Sequence, residues 1–240
     1  MKRPRSARCV LVLVLALFHA GTRAQDGTDT SCTAVGDIAT ARIHEEVMAR
    51  LPAGYESAAA YQEAIRGIES EHGKLDPQLF PLLLGLALEQ REEERHAEAA
   101  RTLYHALFVV RANEGLYSLT QVPVLELLID SRTKLNDWRA VADAHDLLIW
   151  VYRRNYAPDD PRMLPALKRL RRWNFEAYNK ETGRPLDMLF DDAERYYKQG
   201  IAIVEKCTGD RQAALCFWHK GCCPGAREGD GYCPSRTGGR

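Results

Sequence analysis

Slid against itself, the chain comes into register at an offset of 42 residues. Pro81, Pro123 and Pro165 form one column, Leu83, Leu125 and Leu167 a second, and Leu86, Leu128 and Leu170 a third. The same offset joins Ala58, Ala100 and Ala142, then Ala64, Ala106 and Leu148, then Ile65, Leu107 and Ile149, and it matches Gly73 with Gly115. Within one period the apolar residues recur every three or four positions, twice over: Leu83, Leu86 and Ala87, then Leu103, Ala106, Leu107 and Val110. That spacing lines one face of an α-helix, so each period predicts a helix pair. Alanines at 99, 100 and 106 let the second helix of a pair approach its neighbour closely. A lone pair cannot bury apolar faces on both sides, whereas stacked pairs can. The predicted class is therefore all-α, a solenoid of stacked antiparallel helix pairs. Helices are expected over 36–51 and 57–72, 80–93 and 97–113, 122–135 and 138–155, and 162–179 and 189–206. The last pair carries an insertion, because Ala193, Tyr197, Gly200 and Ile201 match Val141, His145, Leu148 and Ile149 only at an offset of 52. Lys180 to Pro185 supply the break that holds it.

A period of 42 also falls in the range of HEAT and armadillo arrays, and the residues narrow the choice. The stretch Leu83-x-x-Leu86-Ala87, followed by Glu98-Ala99-Ala100-x-x-Leu103-Tyr104-x-Ala106-Leu107, resembles the tetratricopeptide repeat in the longer variety found in kinesin light chains. That variety often opens its first helix with an x-Pro step, and Asp76-Pro77 and Asp160-Pro161 stand at matching distances before Leu86 and Leu170. The middle repeat has Ser118-Leu119 there instead, and Leu148 replaces the small residue at the helix crossing of repeat three. The resemblance covers about residues 36–206. It implies a right-handed solenoid that binds a protein or peptide in a concave groove lined by the first helix of each repeat.

By register the groove-facing positions are Leu84, Leu88 and Arg91, then Glu126, Asp130 and Lys134, then Lys168, Arg172 and Phe175. Charge changes sign between adjacent repeats, with Glu126 and Lys168 in one column and Asp130 and Arg172 in another. Two readings stand: structural ion pairs across neighbouring helices, worth at most about 1 kcal/mol each if exposed, or a bipolar clamp for a peptide carboxylate or charged side chain.

The two ends have different compositions. Met1 to Arg8 is basic, Cys9 to Phe18 is an unbroken apolar run, and small residues follow as far as Thr22-Arg23-Ala24. This is the layout of an export signal, residues 1–24, and its apolar run is too short for a membrane span of about 20 residues. Residues 25–35 are expected to be a flexible new N-terminus, and residues 36–206 the array. Residues 207–240 are expected to form a Cys-rich cap. Cys207, Cys216, Cys222, Cys223 and Cys233 lie in it with His219 and several glycines, and Cys32 stands alone near the other end. Export favours disulfides among these six, and a disulfide-stapled cap would cover the terminal apolar face of the last repeat. Parity leaves one of the five tail cysteines for Cys32, for another molecule, or unpaired. Two bridges within the tail and a third to Cys32 are expected.

The 33 basic and 33 acidic side chains balance, but five of the basic ones precede residue 25 and no acid does. The exported chain is therefore mildly acidic, which argues against nucleic acid or an anionic membrane as partner. No stable membrane insertion is expected after signal removal. The place of action would be the periplasm in a Gram-negative cell and the medium otherwise. There is no His-Glu-x-x-His, no phosphate-cradling glycine loop and no Gly-x-Ser-x-Gly elbow. His96, His105 and His145 fall in different columns, and the charged run Glu89 to Glu98 reads as a solvated helix end. No cofactor, metal ion or catalytic residue is expected. The leading expectation is an exported, non-catalytic scaffold. Its rivals are a structural spacer of an envelope assembly and a metal-dependent or accessory enzyme with a zinc site at Cys216, His219, Cys222 and Cys233.

Overall fold

A computed structural model describes residues 30–55, 57–209, 211 and 214, the first four of these by their backbone alone. The described residues form eight α-helices and two 3-10 turns, with no strand, so the protein is all-α as the periodicity predicts. The helices are α1 (Thr30–Met48), α2 (Ala58–His72), α3 (Leu79–Glu92), α4 (His96–Glu114), α5 (Gln121–Lys134), α6 (Trp138–Asn155), α7 (Leu164–Glu176) and α8 (Leu186–Thr208). From α2 onward each helix packs on the next in sequence.

The 42-residue offset reappears as equivalent burial. Leu83, Leu125 and Leu167 are buried, as are Leu86, Leu128 and Leu170, and Ala58, Ala100 and Ala142. It reappears in the connections as well. Gly73 and Gly115 end α2 and α4 with φ of 90° and 93°, a conformation that glycine takes without a Cβ penalty. Half a period further on, Glu94 and Asn136 both sit in the left-handed region, with φ of 59° and 56°, at the turns from α3 to α4 and from α5 to α6. Asn113 on α4 donates to the Leu75 carbonyl, and its equivalent Asn155 on α6 donates to the Tyr117 carbonyl. After the break at 180–185, the offset of 52 holds too. Ala193, Tyr196, Gly200, Ile203 and Val204 are buried where Val141, Ala144, Leu148, Val151 and Tyr152 are.

The N-terminal helix departs from the expected plan. It begins at Thr30, inside the stretch expected to be flexible, and it does not pair with α2. Its main contacts are with α5, α7, α8 and the 3-10 turn Pro161–Met163. Nineteen residues make a helix about 28 Å long, and it crosses the stack against the order of the chain. Arg50, just past its end, lies over the Phe80 ring of α3 and pairs with Glu114. His44 reaches Glu126 on α5, and Thr40 reaches Tyr152 on α6. Gly36 sits against the start of α7, where a Cβ would lie 2.6 Å from the Pro161 carbonyl oxygen and 3.0 Å from Pro165 Cδ. The buried or half-buried positions 36, 40, 43, 44, 47 and 48 follow helical spacing, and the other face of α1 is exposed.

Among the described residues no helix is long and apolar enough to cross a membrane. The expected cap falls almost wholly outside the described residues, as do the expected export signal and Cys216, Cys222, Cys223 and Cys233.

Candidate functional site

Helices α3, α5 and α7 present one wall, and α1 lies across part of it. Residues spaced by four share a helix face, so α5 lines up Glu126, Asp130 and Lys134 along that wall. Ion pairs do link the neighbouring repeats, but they are made by Arg169 and are not the expected Glu126–Lys168 and Asp130–Arg172 pairs. Arg169 Nη1 lies 3.1 Å from Glu126 Oε1, and Arg169 Nη2 lies 3.4 Å from Asp130 Oδ1. Arg172, the expected partner of Asp130, is largely exposed and comes within 4.0 Å of Glu176 on its own helix. The reason is rotational. Each step along a helix turns about 100°, and α7 meets α5 with the residue after Lys168 turned toward it. In the strict column of Arg169 stand Gly85 and Leu127, which carry no charge, so the column gave no sign of it.

The network continues at both ends. Asp130 Oδ2 lies 3.5 Å from Arg91 Nη2 on α3, and Glu126 Oε2 lies 2.7 Å from His44 Nε2 on α1. The other ring nitrogen of His44 is 2.8 Å from the Thr40 carbonyl, so both nitrogens face acceptors. That arrangement suits the doubly protonated ring. Burial works against the charge on His44, but the hydrogen bonds to Glu126 and Thr40 and the Glu126 charge outweigh it, and its pKa is raised. Signs therefore alternate from Arg91 through Asp130, Arg169 and Glu126 to His44, across three repeats and the crossing helix. Burial raises the Asp130 pKa, against the pull of Arg169 and Arg91. The buried Tyr152 hydroxyl lies 3.2 Å from Thr40 Oγ1, and burial pushes its pKa up, so it remains a phenol.

The remaining expected groove residues divide. Leu84 is fully buried and belongs to the core, which corrects its expected place on the groove surface. Helix α3 is apolar nearly all round from Leu79 to Ala87, and such a helix is enclosed on every side. Leu88 is half-buried against the core. Lys168 and Arg91 are half-buried, whereas Asp130, Lys134, Arg172 and Phe175 are exposed.

Beyond α1 the wall runs into an aromatic cluster that the repeat columns do not show. The Phe175 ring meets Phe190 edge-on with centroids 6.4 Å apart, and Tyr178 meets Phe190 at 5.4 Å. All three are exposed, and so are Leu186 and Met188 at the start of α8. Beneath the wall, His145 stacks on Trp173 at 5.0 Å. Burial, followed by the charges of Arg169, Arg184 and Arg172, pulls the pKa of His145 down to about 3.

Among the described residues, no three potential metal ligands gather in one place. The zinc set weighed from the sequence, Cys216, His219, Cys222 and Cys233, lies outside them. Compared with known proteins, the chain matches no family model and no curated sequence.

Proposed function

We propose that this chain is an exported, non-catalytic scaffold, a right-handed helical solenoid of tetratricopeptide type that holds a protein or peptide on the wall of α3, α5 and α7. The observation that carries the reading is the division of that wall. One part already holds a helix, α1, through the His44–Glu126 and Thr40–Tyr152 contacts. The other part leaves Asp130, Lys134 and Arg172 exposed beside the open aromatic cluster of Phe175, Tyr178 and Phe190. An exposed apolar patch rimmed by charge is the usual make-up of a protein-binding surface. The chemistry it fits is a segment with an aromatic or aliphatic anchor for Phe175 and Phe190 and a carboxylate for Arg172. Glu126 and Asp130 both have their cations supplied from within, so the bipolar clamp reduces to its basic end at Arg172.

The test is site-specific photo-cross-linking in the cell of origin. A cross-linker at Phe175 should capture a discrete partner, while one at Phe108, exposed on α4, should not. Arg172→Glu and Phe175→Ala should then each weaken the purified pair about tenfold or more, with thermal stability unchanged. Equal capture from both positions would sink the reading. The export half rests on the basic start and short apolar run, and N-terminal sequencing of exported material should begin at Gln25. Material that still began at Met1 would overturn it.

A further inference from the structure

The two ends of the described fold meet on one short segment. At the start of α1, Gly36 packs against Pro161 and Pro165. In the second half of α8, Gln199 Nε2 donates to the Pro158 carbonyl at 2.7 Å, and at its end Lys206 pairs with Asp159. Helices α1 and α8 also pack directly on each other. Cys32 precedes Gly36 in α1 by four residues, about one helical turn. Cys207 follows Lys206 directly and is disulfide-bonded.

We propose that the partner of Cys207 is Cys32, and that this bridge ties α1 down across the stack. Parity calls for one tail cysteine to pair with Cys32, and the shared seat of α1 and α8 on residues 158–165 selects Cys207. Five cysteines in the tail cannot all pair among themselves, and Cys32 is the one other cysteine beyond the export signal. With Cys207 taken by Cys32, Cys216, Cys222, Cys223 and Cys233 remain as an even set. The bridge also closes the chain from its first helix to its last, so it removes far more freedom from the unfolded state than a short loop within the tail would.

The residue Cys207 is exposed, which makes the bond open to exchange with a dithiol. Two electrons pass from the dithiol, whose two sulfurs become a disulfide, and its two protons end on Cys32 and Cys207. Reduction then leaves α1 held by its non-covalent contacts alone, so the cover over Glu126 and Arg169 becomes a redox-controlled one. This does not depend on the partner-binding reading.

Two measurements test it. Tryptic digestion without reduction, after alkylation of free thiols, should give the Cys32 peptide ending at Arg42 linked to the peptide 207–211. A 207–211 peptide linked to any tail cysteine, or alkylated, would overturn the pairing. Hydrogen exchange should then show residues 34–48 exchanging about tenfold faster after dithiol treatment, with α5 and α6 unchanged. Cys32→Ser and Cys207→Ser should each reproduce that rise. No rise on reduction, or a rise in one variant but not the other, would overturn the tether.

Discussion

Arg169 joins two carboxylates of α5, and each of those carboxylates has a second cation of its own. Removing the guanidinium would leave Glu126 and Asp130 one turn apart with half their compensation gone. Arg169→Ala should therefore cost about 2 kcal/mol in a urea titration, and Lys134→Ala less than about 0.5 kcal/mol because that side chain is exposed. A cost for Arg169 no larger than that for Lys134 would mean the network is decorative. Two histidines respond to acid with opposite signs. His145 is held neutral well below its ordinary pKa, so the unfolded chain binds the proton that the folded one refuses. Its contribution is constant above about pH 6.5, and as pH falls from there toward about 3 it subtracts about 1.4 kcal/mol per unit. His145→Leu should flatten that part of the stability profile, and an unchanged slope would contradict the burial. His44 has a raised pKa, so its contribution is full below about pH 6.5 and is lost as pH rises through the folded value. Hydrogen exchange in α1, corrected for intrinsic rates, should speed up on the alkaline side, and His44→Phe should abolish the dependence. A dependence that survives in the variant would place its origin elsewhere.

At the level of elements, what could be read from the chain is what repeats. The columns of Leu83, Leu86, Ala58 and Ile65 mark positions that every helix pair must bury, and the offset of 52 carries the same requirement past the break. Helical spacing marks α1 as a helix but not how it packs, for a reason visible in the same columns. Stepping back 42 residues from Pro81, Leu83 and Leu86 lands on Ala39, Ala41 and His44, none of which keeps the repeat. The segment has helical spacing but not the column chemistry, and so it is a helix of a different kind. Its buried side carries Gly36, Thr40 and His44, small and polar residues suited to contacts with turns and charges, beside the apolar Ile43, Val47 and Met48. Of the aromatic cluster only Phe175 was legible, as a groove position, because Tyr178 and Phe190 flank the insertion, where periodicity has nothing to compare. Gly36 gives α1 its seat. Gly36→Ala should raise exchange throughout 34–48 and lower the melting temperature, because the new methyl meets backbone that cannot yield cheaply. A variant with wild-type exchange would mean that α1 is seated elsewhere. The turns offer the converse change. Glu94→Gly relieves a side chain in the left-handed region and should stabilise by up to about 1 kcal/mol in chemical denaturation. A loss of stability there would show that Glu94 makes contacts worth more than its strain.

Across the whole molecule, two kinds of connection coexist. The stack from α2 to α8 is built of contacts between successive helices, and the stability of such arrays is close to a sum of local terms. Leu86, Leu128 and Leu170 hold equivalent places in it, so replacing each with alanine should cost about 2–5 kcal/mol. A near-zero cost at one of the three, in unfolding experiments, would break the equivalence. Helix α1 adds the second kind of connection, since its contact with Tyr152 spans 112 residues of chain and its seat at Pro161 lies further on still. A segment emerging from the ribosome first thus finds its place only after the third repeat has been made. Successive pairs can form while synthesis continues, each on the one before, but helix α1 finds only its contacts with earlier helices, α5 among them, until α7 and α8 exist to complete its seat. Helix α1, first to be synthesised among the described helices, is the last to be positioned, and its docking reports that the array behind it is complete.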